Sequence, residues 1–411
     1  MSTMVRVTPA DFAPPAIVTR FRTTALTVGV LCSVIALVVA TVDLKLFLQS
    51  WLVGFMFWLG LTLGCLTLLM LQYTSGGNWG ILGRRFWEAA TKTLPFLFLM
   101  WLPLAFWVKK LYPWGTMDAK DLLEDRAHYW LKPELFVIRG IIYFALWGLW
   151  AWRLNRWSQT EESGDATPQR FVRIQNFSGA GIVMYALTIT FASVDWIMSL
   201  SPMWWSTVFG MVFMVGECLT AFAFTIYLLA RFVQIEPLSR IVKPDHFHDY
   251  GKLMFAFVVL WAYLSFSQWL VIWQGNITAE IRWFLDRVHG HWKIIATLLI
   301  FFHFVLPFAI LLSRSLKRQP RKLVRMAFWI LVIRLVDLFW YVQPSFHPAV
   351  EVHGDVSGLA PISWQVVGMN VVNLLAIGGL WLAIFWWQLG KRSLMPVNDS
   401  HFVEMMEAKH G

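Results

Sequence analysis

The feature that most constrains the fold is a series of ten apolar stretches, each long enough to cross a bilayer as an α-helix. They lie near residues 24–43, 51–73, 93–111, 133–153, 179–200, 205–230, 252–273, 292–313, 324–343 and 364–388. About 20 apolar residues span the hydrocarbon core, and only helices or closed barrels satisfy their backbone hydrogen bonds there. Because 58% of the residues are hydrophobic and only 14% are charged, the chain is predicted to be an all-α integral membrane protein with about ten transmembrane helices.

The spans leave no room for a separate folded domain. Residues 1–23 are predicted to form an N-terminal tail, residues 24–388 the transmembrane domain, and residues 389–411 a C-terminal tail. An even number of spans puts both tails on one side, where the loops hold about 21 Lys and Arg against about 6 on the other side. The positive-inside rule therefore predicts a multi-pass protein of the bacterial cytoplasmic (inner) membrane with both termini cytoplasmic. The net charge of +10 then reflects topology, and no nucleic-acid partner is expected.

One predicted helical hairpin, residues 191–217, contains an acidic side chain in each arm. The turn at residues 199–202 is short, so the two arms are predicted to pack side by side and antiparallel. At ~1.5 Å of rise per residue, Asp195 lies roughly 10 Å from the turn and Glu217 roughly 20 Å. Because ionisable side chains inside a membrane are costly, they usually mark a working site. The two depths favour successive stations of a polar path over a carboxylate pair that shares one proton.

Polar side chains on other spans fall into two layers when they are sorted by depth. The outer layer contains Asp195, Arg139, Gln268 and Asp337, and the middle layer contains Glu217, His303 and Arg334. The acidic, basic and imidazole groups among them suggest a proton path, which we assign as a hypothesis to Asp195, Glu217, His303, Arg334 and Asp337.

Each of these residues also has a purely structural interpretation. Arg334 and Asp337 are three residues apart and can form an ion pair along one helix. Arg139 can extend towards the headgroups, and His303 can be a hydrogen-bonded core residue. Glu217 has no basic residue within a helical turn, so its carboxyl group is either protonated or paired across helices.

One short segment outside the spans, residues 279–289, is predicted to be an amphipathic helix on the membrane surface. Ile281, Phe284 and Val288 share its apolar face, whereas Arg282 and Arg287 are predicted on the polar face.

The sequence offers few ligands for a redox cofactor. The three cysteines, Cys32, Cys65 and Cys218, lie far apart in apolar runs without a CxxC spacing. A membrane b-type cytochrome needs axial histidines within its spans, and only His303 lies deep in one. We therefore expect no haem, no iron–sulfur cluster and no metal in this chain. Any electrons would travel through partner subunits.

Four blocks of sequence carry a resemblance to a known family. They are FASVDWIMSLSPMWWSTVFG (191–210), FSQWLVIWQGN (266–276), RVHGHWKIIATLLIFFHFVLPFAILLSRSLKR (287–318) and RLVDLFWYVQPSF (334–346). With them the chain resembles the F subunit of alternative complex III, a bacterial quinol:cytochrome c oxidoreductase, and the related NrfD and polysulfide-reductase membrane subunits. Asp195, Gln268, His303 and Asp337 lie within these blocks, whereas Glu217 and Arg139 are inferred from their own positions.

The resemblance implies a specific architecture and specific partners. It implies ten helices arranged as two four-helix bundles, residues 51–200 and 205–343, which are related by pseudo-symmetry and flanked by the first and last helices. It further implies a homologous C-type membrane subunit and partner subunits that carry haem c and iron–sulfur clusters. Quinol or quinone contact is expected, and we place it as a hypothesis at Asp195, Gln268, Arg139 and Trp196.

Three functions are compatible with this sequence. The expected one is a cofactor-free membrane subunit of a respiratory or photosynthetic quinol-oxidising complex, which contributes a proton route or a quinone-contacting surface and is not catalytic alone. The second is an ion- or proton-coupled secondary transporter, although matching helix breaks in the two halves, which such transporters usually show, are not evident. The third is a structural anchor for redox subunits.

Overall fold

The computed structural model describes residues 8–116, 129–162, 168–236, 238–346, 362–399 and 402. The outer parts of both predicted tails lie outside these ranges. Within them the regular secondary structure is helical, without strands. The α-helices are α1 Ile17–Val42, α2 Leu44–Ser75, α3 Arg84–Thr91, α4 Leu94–Phe106, α5 Val108–Leu111, α6 Pro133–Glu162, α7 Pro168–Trp196, α8 Phe209–Phe232, α9 Leu238–Ile241, α10 Pro244–Gly275, α11 Thr278–Val288, α12 Gly290–Leu299, α13 Leu306–Leu312, α14 Arg314–Lys317, α15 Pro320–Val342 and α16 Trp364–Leu389.

Most of the predicted spans are helices that can cross a membrane. In the described part of the chain eight helical segments are long and apolar enough, and a ninth is added if α3 and α4, which meet at a bend of 43°, form one broken span. The remaining predicted stretch, residues 324–343, coincides with α15, a helix of 23 residues. Arg325, Arg334 and Asp337 make α15 more polar than the others. The prediction of a multi-pass, all-α membrane protein is confirmed.

The helices pack as two rings of four, which meet through one helix of each ring, α2 and α8. Helix α2 contacts α4 and α7, and α6 closes this ring between α4 and α7. In the second ring α8 contacts α10 and α15, and the segment Gly290–Leu312 packs between those two. Helices α2 and α8 also contact each other, while α1 packs on α16 at the periphery. In its most apolar window α2 is 94% buried and α1 only 11%, so α2 is central and α1 is exposed to lipid.

Described residues near the two ends of the chain lie close together. The amide of Leu394 donates a hydrogen bond of 2.8 Å to the carbonyl oxygen of Phe12. Arg392, just after α16, donates to the carboxylate of Glu88 on α3 at 3.0 Å, and Ser158 on α6 donates to the same carboxylate at 2.6 Å. These contacts place Phe12 and the residues that follow α16 at the same end of the helical bundle.

Helix α11 is present where an amphipathic surface helix was predicted, but the expectation for Arg287 was wrong. Its side chain is buried, with an exposed fraction of 1%. Its guanidinium donates to the carbonyl oxygen of Tyr341 at 2.8 Å and to the hydroxyl of Ser345 at 2.7 Å, and lies 3.7 Å above the ring of Trp283. The physical reason is that a cation near the C-terminal end of α15 satisfies carbonyl groups that have no helical partner. Arg287 thus fixes α11 to the second ring of helices.

Candidate functional site

The first acidic residue, Asp195, is held in a saturated ion pair at the end of α7. Arg139 donates two hydrogen bonds of 2.8 Å, one to each carboxylate oxygen. Tyr143 and Trp130 donate one each, at 2.8 Å and 2.7 Å. The guanidinium of Arg139 also lies 4.1 Å from the centre of the Trp130 ring. Arg139 is therefore held at Asp195, and the alternative that it extends towards the lipid headgroups does not agree with these contacts. Four donors fill most of the acceptor capacity of one carboxylate, so this group has a fixed structural environment.

Trp196, the next residue, belongs to the aromatic core of the first ring of helices. Its side chain is fully buried, and its ring centroid lies 5.6 Å from that of Phe55 and 6.0 Å from that of Tyr143. Its carbonyl oxygen accepts a hydrogen bond of 3.0 Å from the hydroxyl of Tyr112. Trp196 therefore packs against Tyr143, which donates a hydrogen bond to Asp195.

The second acidic residue, Glu217, lies at the contact between the two rings of helices. Tyr185 on α7 donates a hydrogen bond of 2.5 Å to its Oε2 atom, while Oε1 has no partner among the described residues. Glycines on α2 make room for it. A Cβ atom at Gly60 would lie 3.1 Å from Cγ of Glu217, and one at Gly64 would lie 2.6 Å from its carbonyl carbon. The Gly60–Gly64 pair thus allows α2 and α8 to approach closely around a buried carboxyl group.

The polar residues of α15 connect this centre to the second ring. Arg334 and Asp337 form the ion pair that their spacing predicted. A Cβ atom at Gly216 would collide with the Arg334 guanidinium, so Arg334 lies against the main chain next to Glu217. The contacts therefore run from Asp337 through Arg334 to the neighbourhood of Glu217 and Tyr185.

His303 lies in a π-helical segment, Ile300–Val305, in the middle of the span Gly290–Leu312. Its ring is fully buried, its centroid lies 3.7 Å from that of Trp261, and neither ring nitrogen has a hydrogen-bond partner in the described chain. An interruption of this kind often occurs at functional sites. The interpretation of His303 as a hydrogen-bonded core residue does not agree with these contacts.

A cavity of about 760 Å³ lies inside the second ring, between α10, α11, α15 and the span Gly290–Leu312. Its walls are mainly aromatic and aliphatic, and they include Trp261, Trp269, Trp283, Phe284, Trp340 and Tyr341. Its polar side chains include Ser265, Gln268 and Asp337. Both amide atoms of Gln268 are buried without a hydrogen-bond partner within the described ranges, whereas Ser265 lies beside the hydroxyl of Tyr341.

The mouth of this cavity faces the side of the molecule rather than either end. Tyr263, Phe266 and Ile300 line it and are 64%, 57% and 59% exposed. They lie on Pro244–Gly275 and Gly290–Leu312, two helices that are long and apolar enough to cross a membrane. The mouth of the cavity is therefore on the lateral surface of these two helices.

The predicted site residues are thus distributed over four places. Gln268 and Asp337 line the cavity, Arg334 and Glu217 continue inward from it, and His303 lies behind Trp261. The remaining three residues lie in the first ring of helices: Asp195, Arg139 and Trp196. Of the four residues predicted to contact quinone, Gln268 is the one that lines the cavity.

Sequence reasoning missed several functional partners that helical spacing could have found. Tyr143 follows Arg139 by four residues and Ser265 precedes Gln268 by three, so each shares a face with a recognised residue. Tyr185 lies about 15 Å further from the turn than Asp195, near the level of Glu217. Trp130 gave no such signal, because it precedes the predicted span and reaches Asp195 only through the fold.

No group of three or more His, Cys, Asp or Glu side chains that could hold a metal ion occurs among the described residues. No family model matches the chain, and no curated protein matches it either. The site must therefore be interpreted from its own geometry.

Proposed function

We propose that this chain is the cofactor-free membrane subunit of a quinol-oxidising complex and that the cavity of the second ring binds the quinone headgroup. The observation that carries the proposal is the unpartnered amide of Gln268 in a mainly apolar cavity whose mouth lies on membrane-spanning helices. A volume of about 760 Å³ lies in the range of small-molecule sites. The subunit is not catalytic alone.

The donor and acceptor pattern matches both forms of such a ligand. A quinone carbonyl oxygen can accept from the Gln268 amide nitrogen or from Ser265, and a quinol hydroxyl can donate to the Gln268 amide oxygen. Buried polar groups without partners are costly, so a ligand that satisfies them gains affinity. The aromatic walls accommodate the ring, and the lateral mouth leaves the isoprenoid tail in the bilayer.

Proton movement follows from the residues behind the cavity. Oxidation of one quinol releases two electrons and two protons. The electrons pass to partner subunits, for which the resemblance implies haem c and iron–sulfur clusters next to a homologous C-type membrane subunit. The carboxyl group of Asp337 borders the cavity and pairs with Arg334, which lies beside Glu217. Asp337 and the Glu217–Tyr185 pair are the titratable groups of the proposed route, with His303 at the same level. Arg334 between them stays charged and fixes the positions of the two carboxyl groups, because a guanidinium does not release its proton in proteins.

The proposed setting is the bacterial cytoplasmic membrane with both termini on the cytoplasmic side. The excess of Lys and Arg in the loops on the side of the chain ends supports this orientation. The contact between Leu394 and Phe12, two described residues near the ends of the chain, supports a common side for both termini.

A matched pair of variants tests the quinone site. Gln268→Leu removes both amide atoms from the cavity, whereas Gln274→Leu makes the same change at an exposed position of the same helix. We expect the purified full chain in lipid nanodiscs to bind a short-chain quinone analogue about tenfold more weakly after Gln268→Leu, which corresponds to the ~1.4 kcal/mol of one good hydrogen bond. Gln274→Leu should bind as the wild type does. Wild-type protein without measurable binding, or unchanged binding by Gln268→Leu, would contradict the proposal.

Two further measurements distinguish the alternative functions. Purification from native membranes with haem staining and mass spectrometry should recover a haem c protein, which a secondary transporter would not. A variant that assembles with its partners but loses turnover separates a working subunit from a structural anchor.

A further inference from the structure

A second cavity, of about 470 Å³, lies in the first ring of helices near the chain termini. Helix α6 provides one wall, and the segment from α3 to α4 provides the opposite wall. The cavity-lining residue Asn155 lies 16 positions after Arg139 on α6, which corresponds to about 24 Å along the helix axis. This cavity is therefore at the other end of the bundle from the Asp195 ion pair and is unconnected with the quinone cavity.

The polar part of this cavity is basic. Lys92 and Arg156 line it together with Gln159 and Gln388, and none of its described lining residues is acidic. The Arg156 guanidinium lies 5.5 Å from the ring of Trp152, which holds it at the mouth. Glu88 lies near Lys92 on the adjoining surface, where Arg84, Arg85 and Arg392 already pair with it. The cations around the cavity therefore outnumber this acid and favour an anionic group there.

A buried acceptor lies next to these cations. Asn155 is 5% exposed, and its amide nitrogen donates to the Thr91 hydroxyl at 2.9 Å and to the Ala151 carbonyl at 2.8 Å. Its Oδ1 atom accepts no hydrogen bond from any described residue. A ligand that carries a hydroxyl group beside its anionic group can satisfy this atom.

The other wall of the cavity is apolar and reaches the lipid surface. Leu94, Pro95, Ala151 and Trp152 line it, and Trp152 is 53% exposed. At Gly148 an added Cβ atom would meet no other atom within 4 Å, so the helix leaves a groove along its side. A basic pocket that continues into an apolar groove at the end of a span has the form of a site for a phospholipid headgroup and the start of its acyl chains.

We propose that this cavity binds an anionic phospholipid whose headgroup is glycerol. Its phosphate contacts Lys92 and Arg156, a glycerol hydroxyl donates to Oδ1 of Asn155, and an acyl chain lies along the groove at Gly148. Phosphatidylethanolamine has an ammonium group in place of the hydroxyls, and the two cations repel it. The bound lipid fills the gap between α4 and α6 and stabilises the first ring of helices.

Native mass spectrometry of the full chain tests the proposal. The protein is purified in mild detergent and equilibrated with equal amounts of phosphatidylglycerol and phosphatidylethanolamine. We expect preferential retention of phosphatidylglycerol. Arg156→Gln should reduce retention about fivefold, the factor that corresponds to about 1 kcal/mol for one basic residue near an anionic lipid. Gly148→Phe, which fills the groove without changing charge, should abolish retention.

The control is Arg153→Gln, which removes a cation from the same helix but outside the cavity, where Arg153 lies over the ring of Trp157. It should retain phosphatidylglycerol as the wild type does, and thermal unfolding should show that all variants are folded. Equal retention of both lipids, an equal loss in Arg153→Gln and Arg156→Gln, or complete displacement by an excess of inorganic phosphate would each overturn the proposal. In the last case the cavity is a simple anion site.

Discussion

The hydrogen bond between Tyr185 and Glu217 gives the sharpest test of a proton route through the centre of the protein. The two oxygen atoms are 2.5 Å apart and both side chains are buried. A buried hydrogen bond contributes about 0.5–1.5 kcal/mol between neutral groups and about 1.5–3 kcal/mol when one partner is charged. Tyr185→Phe leaves Oε2 of Glu217 without its donor, so it should lower the free energy of unfolding by about 1–3 kcal/mol.

Glu217→Gln should have a different effect. The amide oxygen can still accept the hydrogen bond from Tyr185, and the side chain keeps its size beside Gly60, where a Cβ atom would already lie 3.1 Å from Cγ. The variant cannot release or take up a proton at this position. We therefore expect normal assembly and normal thermal unfolding. Proton release coupled to quinol oxidation should fall about 100-fold or more, the lower range for loss of a general acid or base.

The assay uses the complex purified from native membranes and reconstituted in vesicles that contain a pH-sensitive dye. Quinol oxidation and proton release are followed together. Glu280→Gln is the control, because it removes an acid of α11 that does not belong to the route. Wild-type rates of both oxidation and proton release in Glu217→Gln would refute the reasoning and leave Glu217 as a structural residue.

Other predictions concern packing, the two ion pairs and topology. Gly64→Ala should destabilise the protein by about 1–3 kcal/mol in thermal unfolding, because the new Cβ atom would lie 2.6 Å from a main-chain carbon atom of α8. Gly60→Ala should destabilise it less, because its Cβ atom would meet a side chain at 3.1 Å. Equal destabilisation by the two variants would contradict this packing. Asp195→Asn should lower thermal stability without changing quinone affinity, whereas Asp337→Asn should weaken quinone binding in nanodiscs. Weaker quinone binding by Asp195→Asn and unchanged binding by Asp337→Asn would instead place the quinone site in the first ring. A reporter enzyme fused after Gly411 should be active in the cytoplasm, and periplasmic activity would overturn the proposed orientation.

Much of the fold follows from hydrophobic length alone, and its exceptions have local causes. The predicted span 93–111 is divided into α4 and α5 and preceded by α3. Pro95 stands in the first turn of α4, where proline is tolerated, and Pro103 lies inside it. Both prolines are visible in the sequence, so the start of α4 and its irregular end could have been predicted. The bend of 43° between α3 and α4 depends on packing and could not.

The site was only partly predictable from the sequence. The position of a residue along its helix gives its depth, but it does not show which neighbouring helix the side chain faces. The ion pair of Arg334 and Asp337 needed only their spacing. The pairing of Asp195 with Arg139 joins two helices, and depth had placed both residues in one layer without showing that they meet. The cavity depends on α11, whose position follows from the burial of Arg287 against α15. The sequence placed Arg287 on the polar face of an amphipathic helix, so it did not indicate that Arg287 attaches α11 to α15.

Two carboxylates, Asp195 near the end of α7 and Asp337 five residues before the end of α15, show how the two rings of helices differ. Each follows a valine and precedes a proline by seven residues, as Val194–Asp195 with Pro202 and Val336–Asp337 with Pro344. Each stretch ends in a short 3-10 turn, Met198–Leu200 and Gln343–Phe346. The loops that follow the two carboxylates meet through a contact of 3.3 Å between the hydroxyls of Ser201 and Ser345.

The environments of these two positions are nonetheless opposite. Asp195 receives four hydrogen bonds from Arg139, Tyr143 and Trp130, and aromatic rings fill the space around it. Asp337 is paired with Arg334 on its own helix and borders a cavity of about 760 Å³. A saturated carboxylate stabilises a fold but cannot exchange a proton without losing its partners, whereas a carboxylate at a cavity can take part in chemistry there. The two segments share the Val-Asp pair and the proline spacing, but the surroundings differ: a fixed ion pair in the first ring and a cavity wall in the second.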